Sequence, residues 1–235
     1  MSIEVHQLTK TYGTQKAVDQ ISFQAKPGEI VGFLGPNGAG KSTTMKMISG
    51  YLEPDGGEIM VCGLKVKSGD LLTQKRIGYL PELNPLYPEM YVREYLGFIA
   101  GLHKVSNNKV RIEEAIELTG LQREAHKQIH QLSKGYKQRV GLAAAIIHNP
   151  DVLILDEPTS GLDPNQIIEI RNLIQLLGKD KTILFSSHIL QEVEAICDRM
   201  IIIHKGKIVA DSTLADLSAH TGNTSLEEAF RSLTK

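Results

Sequence analysis

The sequence predicts an α/β protein built around a mostly parallel, buried sheet, and three observations lead there. A short apolar stretch over residues 29–34 runs into a glycine-rich loop, then into a helix that stops at Gly50. Strand, loop and helix in that order are the start of a doubly layered α/β core. A fully apolar run over residues 152–155 ends in two carboxylates, Asp156 and Glu157. Such runs suit parallel strands covered on both faces. Between the two, from residue 82 to about residue 150, helix-like segments replace strands, as in an α-helical subdomain inserted into the sheet.

The loop reads Gly35-Pro36-Asn37-Gly38-Ala39-Gly40-Lys41-Ser42-Thr43 and fits G-x-x-x-x-G-K-[ST]. In this setting the backbone N–H groups turn toward a phosphate. The three glycines admit backbone conformations that a side chain resists, so the loop can approach an anion closely. Aligned peptide dipoles place about half a positive charge at the helix start. Lys41 adds a full charge, aimed at the β- and γ-phosphates. Ser42 can offer its hydroxyl to Mg²⁺, which keeps several waters and takes few protein ligands. The loop therefore implies nucleoside triphosphate binding.

Composition narrows the class. A chain of 235 residues suits one large domain, or a core with one insertion. With 41% hydrophobic and 23% charged residues it reads as an ordinary globular protein. A net charge of −1 gives no overall electrostatic footprint for nucleic acid, so direct nucleic-acid binding is not expected. Cys62 and Cys197 fit no metal spacing or disulfide framework, and both are expected as buried small hydrophobes. No run reaches the 18 or more apolar residues of a membrane span, and the first residues lack a signal peptide's pattern. A cytoplasmic chain is expected, reaching any membrane through a partner.

Taken in order, residues 3–8 and 17–23 alternate as half-buried strands and suggest a small β subdomain beside the main sheet. Tyr12, at an expected turn between them, is either a packing residue or a ring on which a base could stack. Turn residues 54–57 lead into a strand over 58–62, and residues 77–80 form another that ends at Pro81. Residues 91–102 and 111–118 carry helical spacing. His126 and His130 are four apart, but no third ligand accompanies them, so they read as a solvated helix face.

Ser133 sits where an N-cap should, before a helix reaching about His148 with Val140, Ala143, Ala144 and Ile147 on its core face. Ser133, Lys134 and Gly135 are either a plain capped start or a second anion site. Asp156 can hold Mg²⁺ as the partner to Ser42, and Glu157, pointing elsewhere, can polarise an attacking water. Asp163 and Pro164 open a further helix, with Ile167, Ile170, Ile174 and Leu177 on its buried face. Residues 182–186 form a strand, and His188 just beyond it is a helix cap, a core residue or a phosphate contact. Residues 199–204 and 207–210 close the sheet around Lys205-Gly206, and the tail to Lys235 reads as helical.

Together these stretches resemble the ATP-binding subunits of ABC transporters over nearly the whole chain. Residues 35–43 match Walker A, residues 152–156 Walker B, and Glu157 the catalytic-base position. Leu132-Ser133-Lys134-Gly135-Tyr136-Lys137-Gln138 matches the family signature, residues 160–163 the D-loop, His188 the switch histidine and Tyr12 the base-stacking aromatic. The resemblance implies a P-loop NTPase fold with a RecA-like core sheet, an N-terminal antiparallel β subdomain and an inserted helical subdomain. It divides the chain into a core of residues 1–81 and 151–235 and a helical part of residues 82–150. It also implies ATP and Mg²⁺ as ligands, with Lys41, Glu157 and His188 as the catalytic set. A second ATP-binding subunit would pack head to tail on the first, and an ABC-2 type membrane permease would hold both at the cytoplasmic face of the membrane.

Two departures stand out. Lys134 and Tyr136 depart from the usual Leu-Ser-Gly-Gly-Gln signature, as in ABC-2 export systems. Glu82 stands where the family's Q-loop has glutamine, which puts a carboxylate within reach of the metal but against the γ-phosphate. Residues 77–96 look especially like the gliding-motility-associated subunits. The competing class is a non-transport ABC ATPase acting on ribosomes or DNA, which usually carries two nucleotide modules or a long coiled-coil insertion.

Overall fold

The computed structural model describes residues 1–213, 216 and 226–234. Two sheets organise it. β1 (Ile3–Tyr12), β2 (Gln15–Ala25), β4 (Gly56–Val61) and β5 (Leu64–Lys65) form an antiparallel sheet in the order β2-β1-β4-β5. The second sheet also contains β3 (Ile30–Leu34), β6 (Ile77–Leu80), β7 (Val152–Asp156) and β8 (Thr182–Ser187). With β9 (Arg199–His204) and β10 (Lys207–Thr213) its order is β10-β9-β3-β8-β7-β6, parallel except for the β9–β10 hairpin.

Strand alternation gives this sheet two differently clad faces. Val31, Phe33, Ile154, Leu184, Ile201 and Ile203 pack with α1 (Lys41–Ile48) and the antiparallel sheet. Their neighbours Leu153, Leu155, Ile183, Phe185, Met200 and Ile202 pack on the other side, in the core shared with the later helices. These are α3 (Val92–Leu102), α4 (Asn108–Leu118), α5 (Lys134–Ile146), α6 (Pro164–Gly178) and α7 (Leu190–Ile196). α2 (Leu71–Gln74) lies before β6, and α8 (Leu226–Leu233) closes the described chain.

Several expectations need correction. β1 runs on to Tyr12 instead of ending at Leu8, because irregular pairing near Gln7 (φ 49°) and Gln20 (φ 53°) hides its alternation. α5 ends at Ile146, and Gly141, Leu142, Ala145 and Ile146 are buried as well, while Ala144 is only partly so. It is a helix enclosed on most sides, not one with a single core face. In α6, Leu173 joins the buried face and Ile167 is only half-buried. Residues 126 and 130 share no helix: His126 lies in a turn and His130 in a 3-10 segment, both exposed. Cys197 is buried, and burial pushes its thiol up; Cys62 is half-exposed, in the β4–β5 turn at φ 50°. α7 was not foreseen, since its seven residues show too little periodicity.

One histidine pair ties α3 and α5 to β6. His103 and His148 stack with ring centroids 3.8 Å apart, and His148 Nε2 donates to the Ile77 carbonyl at 3.1 Å. Burial, then the neighbouring His103, pull His148 from 6.5 down to about 4. The unfolded chain therefore takes up this proton first as the pH falls. Stability from this group is complete above the unfolded value and is lost as pH drops from 6.5 towards 4. The full shift corresponds to ~3 kcal/mol. His148→Gln, which keeps a donor for Ile77, is expected to flatten the urea-midpoint profile across that interval; parallel curves for the two proteins would contradict this.

Candidate active site

Neighbouring parallel strands bring the polar residues together. Leu34 pairs with Ser187, and Asp156 pairs with Ser186, so β3, β8 and β7 end in line. Ligands in open α/β sheets bind at this carboxyl end. The loop after β3, the acids at the end of β7 and His188 after β8 consequently face one space.

The loop passes straight into α1, whose first residues are Lys41 and Ser42. Gly40 sits at φ 111°, and a Cβ there would meet the Ala17 carbonyl at 2.4 Å, so only glycine fits both the backbone and the contact with β2. Lys41 is 6% exposed. Its ammonium donates to the Gly35 carbonyl at 2.7 Å and the Pro36 carbonyl at 3.3 Å, and lies 3.5 Å from Glu157 Oε1. Asn37 and Gly38 are exposed, and nothing lies within 4 Å of a Cβ on Gly38, so the tip is open to an anion. Ala39 is buried against the β9–β10 turn, where its carbonyl accepts from Gly206 at 3.0 Å. Thr43 is half-buried in the first turn of α1.

Asp156 is 1% exposed and its Oδ1 accepts from two serines, Ser42 at 3.1 Å and Ser186 at 2.6 Å. The Ser186 hydroxyl also accepts the Glu157 N–H at 2.9 Å. Glu157 adopts φ 50°, a left-handed conformation that is costly for a non-glycine residue and clusters at functional sites. That turn separates the two carboxylates. Glu157 faces Lys41 with one oxygen and the His188 Nδ1 with the other, at 2.8 Å.

A cleft of about 670 Å³ continues from Ser42 and Asp156 between β6 and the helices. Glu82, exposed, lines it just beyond β6 together with Tyr79, Leu83 and Ile99. The oxygens of Ser42 and Asp156 are hard donors suited to Mg²⁺. Among the described residues no group of three acidic, histidine or cysteine side chains forms a metal cage. A site of two protein ligands leaves room for phosphate oxygens and water, which fits this ion.

The remaining candidates stand apart. Ser133 caps α5, accepting the Tyr136 N–H at 3.4 Å. Gly135 abuts the Gln166 side chain, and the Lys134 ammonium lies over Gly161, which holds φ 68°. Among the described residues no hydrogen bond joins these three to residues 35–43. Tyr12 is exposed at the end of β1, beside Gln15 on the hairpin whose Ala17 abuts Gly40. The reading of residues 182–186 missed Ser186 as the brace of Asp156. Counting alternation back from Asp156 across the β7–β8 pair would have found it.

A buried ammonium over a glycine loop, a braced acid and a second acid held by histidine meet at the carboxyl end of the sheet. Together with the antiparallel sheet and helical insertion, this defines an ATPase cassette. The family profile described as ABC transporter matches residues 18–160. The bacitracin transport ATP-binding protein BcrA of Bacillus licheniformis is 44% identical over 214 residues, which cover 89% of this chain and 69% of that one. The Nod factor export ATP-binding protein I of Burkholderia thailandensis is 39% identical over 212 residues, covering 89% and 70%. A dimeric, post-hydrolysis structure of the cassette MJ0796 with ADP and Pi superposes with a TM-score of 0.83 at 26% identity, over 90% of this chain and 98% of that one. The chain belongs to the ABC transporter family, as an ATP-binding, ATP-hydrolysing subunit.

Proposed function

We propose that this chain powers an ABC-2 type export system, working as one of two cassettes that close head to tail over ATP. The observation that carries this reading is the separation of the two anion-binding elements. Residues 35–43 form one half-site, while Ser133, Lys134 and Gly135 form another that packs on residues 161 and 166 of its own chain. In a head-to-tail pair, each ATP would lie between the loop of one chain and the α5 N-terminus of the other. The dimeric relative bound to ADP and Pi supports the pairing of two cassettes.

Within each site, Glu157 acts as general base on the attacking water. Its turned backbone and its contact with His188 hold the carboxylate away from Asp156. His188 orients Glu157 through Nδ1 and stabilises the developing phosphate charge. Lys41, with the N–H groups of the loop from Gly35 to Thr43, holds the β- and γ-phosphates, and Tyr12 stacks on the base. Ser42 and Asp156 would hold Mg²⁺, with Glu82 as a further oxygen at the cleft; the ion supplies charge neutralisation at the phosphates. Catalysis of this kind is mostly positioning and charge stabilisation.

Residues 82–150 form the part that passes motion to the permease, against a core of residues 1–81 and 151–235. The cleft running from Asp156 is bordered by exposed apolar side chains, among them Tyr51, Leu83 and Leu102. Clusters of this sort mark interaction sites. No helix among the described residues is long and apolar enough to cross a membrane. As a transporter subunit, like the export relatives it resembles, the chain would sit on the cytoplasmic face of the membrane through its permease. The departures Lys134 and Tyr136 support the export class, and the likeness of residues 77–96 supports a gliding-motility-associated system. Affinity purification from solubilised membranes is expected to recover a hydrophobic subunit at a fixed ratio. Recovery only from the soluble fraction, with ribosomes or DNA, would replace this reading.

A further inference from the structure

We propose that Ser187 and Glu192 form a positioning pair that fixes the His188 imidazole against Glu157; this rests on the reading of His188 given above. β8 ends in two serines whose side chains leave opposite faces of the strand. Ser186 serves Asp156 and Glu157 on one side. Ser187 is fully buried on the other, where its hydroxyl donates to Glu192 Oε2 at 2.7 Å and accepts the Ile189 N–H at 3.0 Å. Glu192 is itself 2% exposed, in the first turn of α7.

His188 lies between the two residues so tied. Its side chain is 44% exposed, and its bond to Glu157 spans the gap from β8 to β7. With almost half of the side chain open to solvent, the direction of the ring depends in good part on the backbone at residues 187–189. The N-cap of α7 is Ile189, whose side chain cannot cap a helix. The usual reciprocal cap has the third helical residue reach back to the N-cap N–H. Here the Ser187 hydroxyl is inserted into that link: Ile189 N–H to Ser187 Oγ, then Ser187 O–H to Glu192. The helix start and the histidine are thereby set by one buried hydroxyl. A buried carboxyl needed only to begin α7 would not require the serine to stand immediately before His188.

The test compares steady-state ATP turnover in Glu192→Ala, Ser187→Ala, Glu192→Gln and His188→Ala, and in the Glu192→Ala/His188→Ala double variant. Misplacement of a reacting group by about an ångström can cost ~100-fold. Glu192→Ala and Ser187→Ala should lower kcat about 10- to 100-fold with KM for ATP nearly unchanged. Glu192→Gln, whose amide oxygen still accepts from Ser187, should recover most of it. In the His188→Ala background, Glu192→Ala should add almost nothing, since coupled residues are non-additive. The His188 ring signal, followed by NMR in the free protein without turnover, should move in Glu192→Ala and return in Glu192→Gln.

Parental kcat in Glu192→Ala, or an equal loss with and without His188, would overturn the pair's role. An unmoved ring signal would do the same. If Glu192→Ala does not fold, Ser187→Ala carries the comparison. Parental turnover in His188→Ala would instead defeat the reading of His188, and this inference with it.

Discussion

Glu157→Gln is expected to bind ATP tightly and to lose turnover by about 10² to 10⁴-fold, the usual worth of general-base help. The amide keeps the side chain's size and can still meet His188 and Lys41, but it accepts no proton from water. Lys41, Ser42 and Asp156 are untouched and continue to hold the phosphates. With ATP bound and uncleaved, the closed pair of cassettes should accumulate. The variant is therefore expected to elute as an ATP-dependent dimer on size exclusion, while the parent stays mostly monomeric. A Glu157→Gln protein that binds ATP, has lost hydrolysis and remains monomeric would keep Glu157 as the base but remove the two-chain site.

Lys41→Ala should abolish measurable ATP binding. The ammonium is buried and aimed into the loop by the Gly35 and Pro36 carbonyls, so no water-exposed side chain can replace it. Hydrogen bonds to charged groups are worth about 1.5–3 kcal/mol each, and loss of two predicts a fall in affinity of a hundredfold or more. Titration with a fluorescent ATP analogue measures this, and an unchanged melting transition shows that the fold survives. Near-parental affinity would overturn the assignment of residues 35–43 as the phosphate site.

Chemistry was more readable in the sequence than packing. The strand before Gly35, the apolar run to Asp156 and the caps at Ser133 and Asp163 each depend on local backbone rules, and each stands close to where those rules put it. The misses come from contacts distant in sequence. β1 was cut short because its irregular pairing with β2 breaks the alternation. The enclosure of α5 depends on neighbours from several elements, which no single window reveals. Cys62 looked like a core residue by type, yet it occupies a left-handed turn position. Glu157 was singled out by its place after Asp156; its turned backbone and its grip on His188 come from the meeting of β7 and β8.

The central sheet, clad by one core on each face, also acts as a partition. Val152 and Ile154 belong to the compartment of α1 and the antiparallel sheet, and Leu153 and Leu155 to that of the later helices. Among the buried apolar side chains of β7, none belongs to both compartments. Asp156 ends this wall. The polar contacts that reach the phosphate loop from β7 therefore lie at its terminus and the turn it carries, at Asp156 and Glu157, outside both hydrophobic cores.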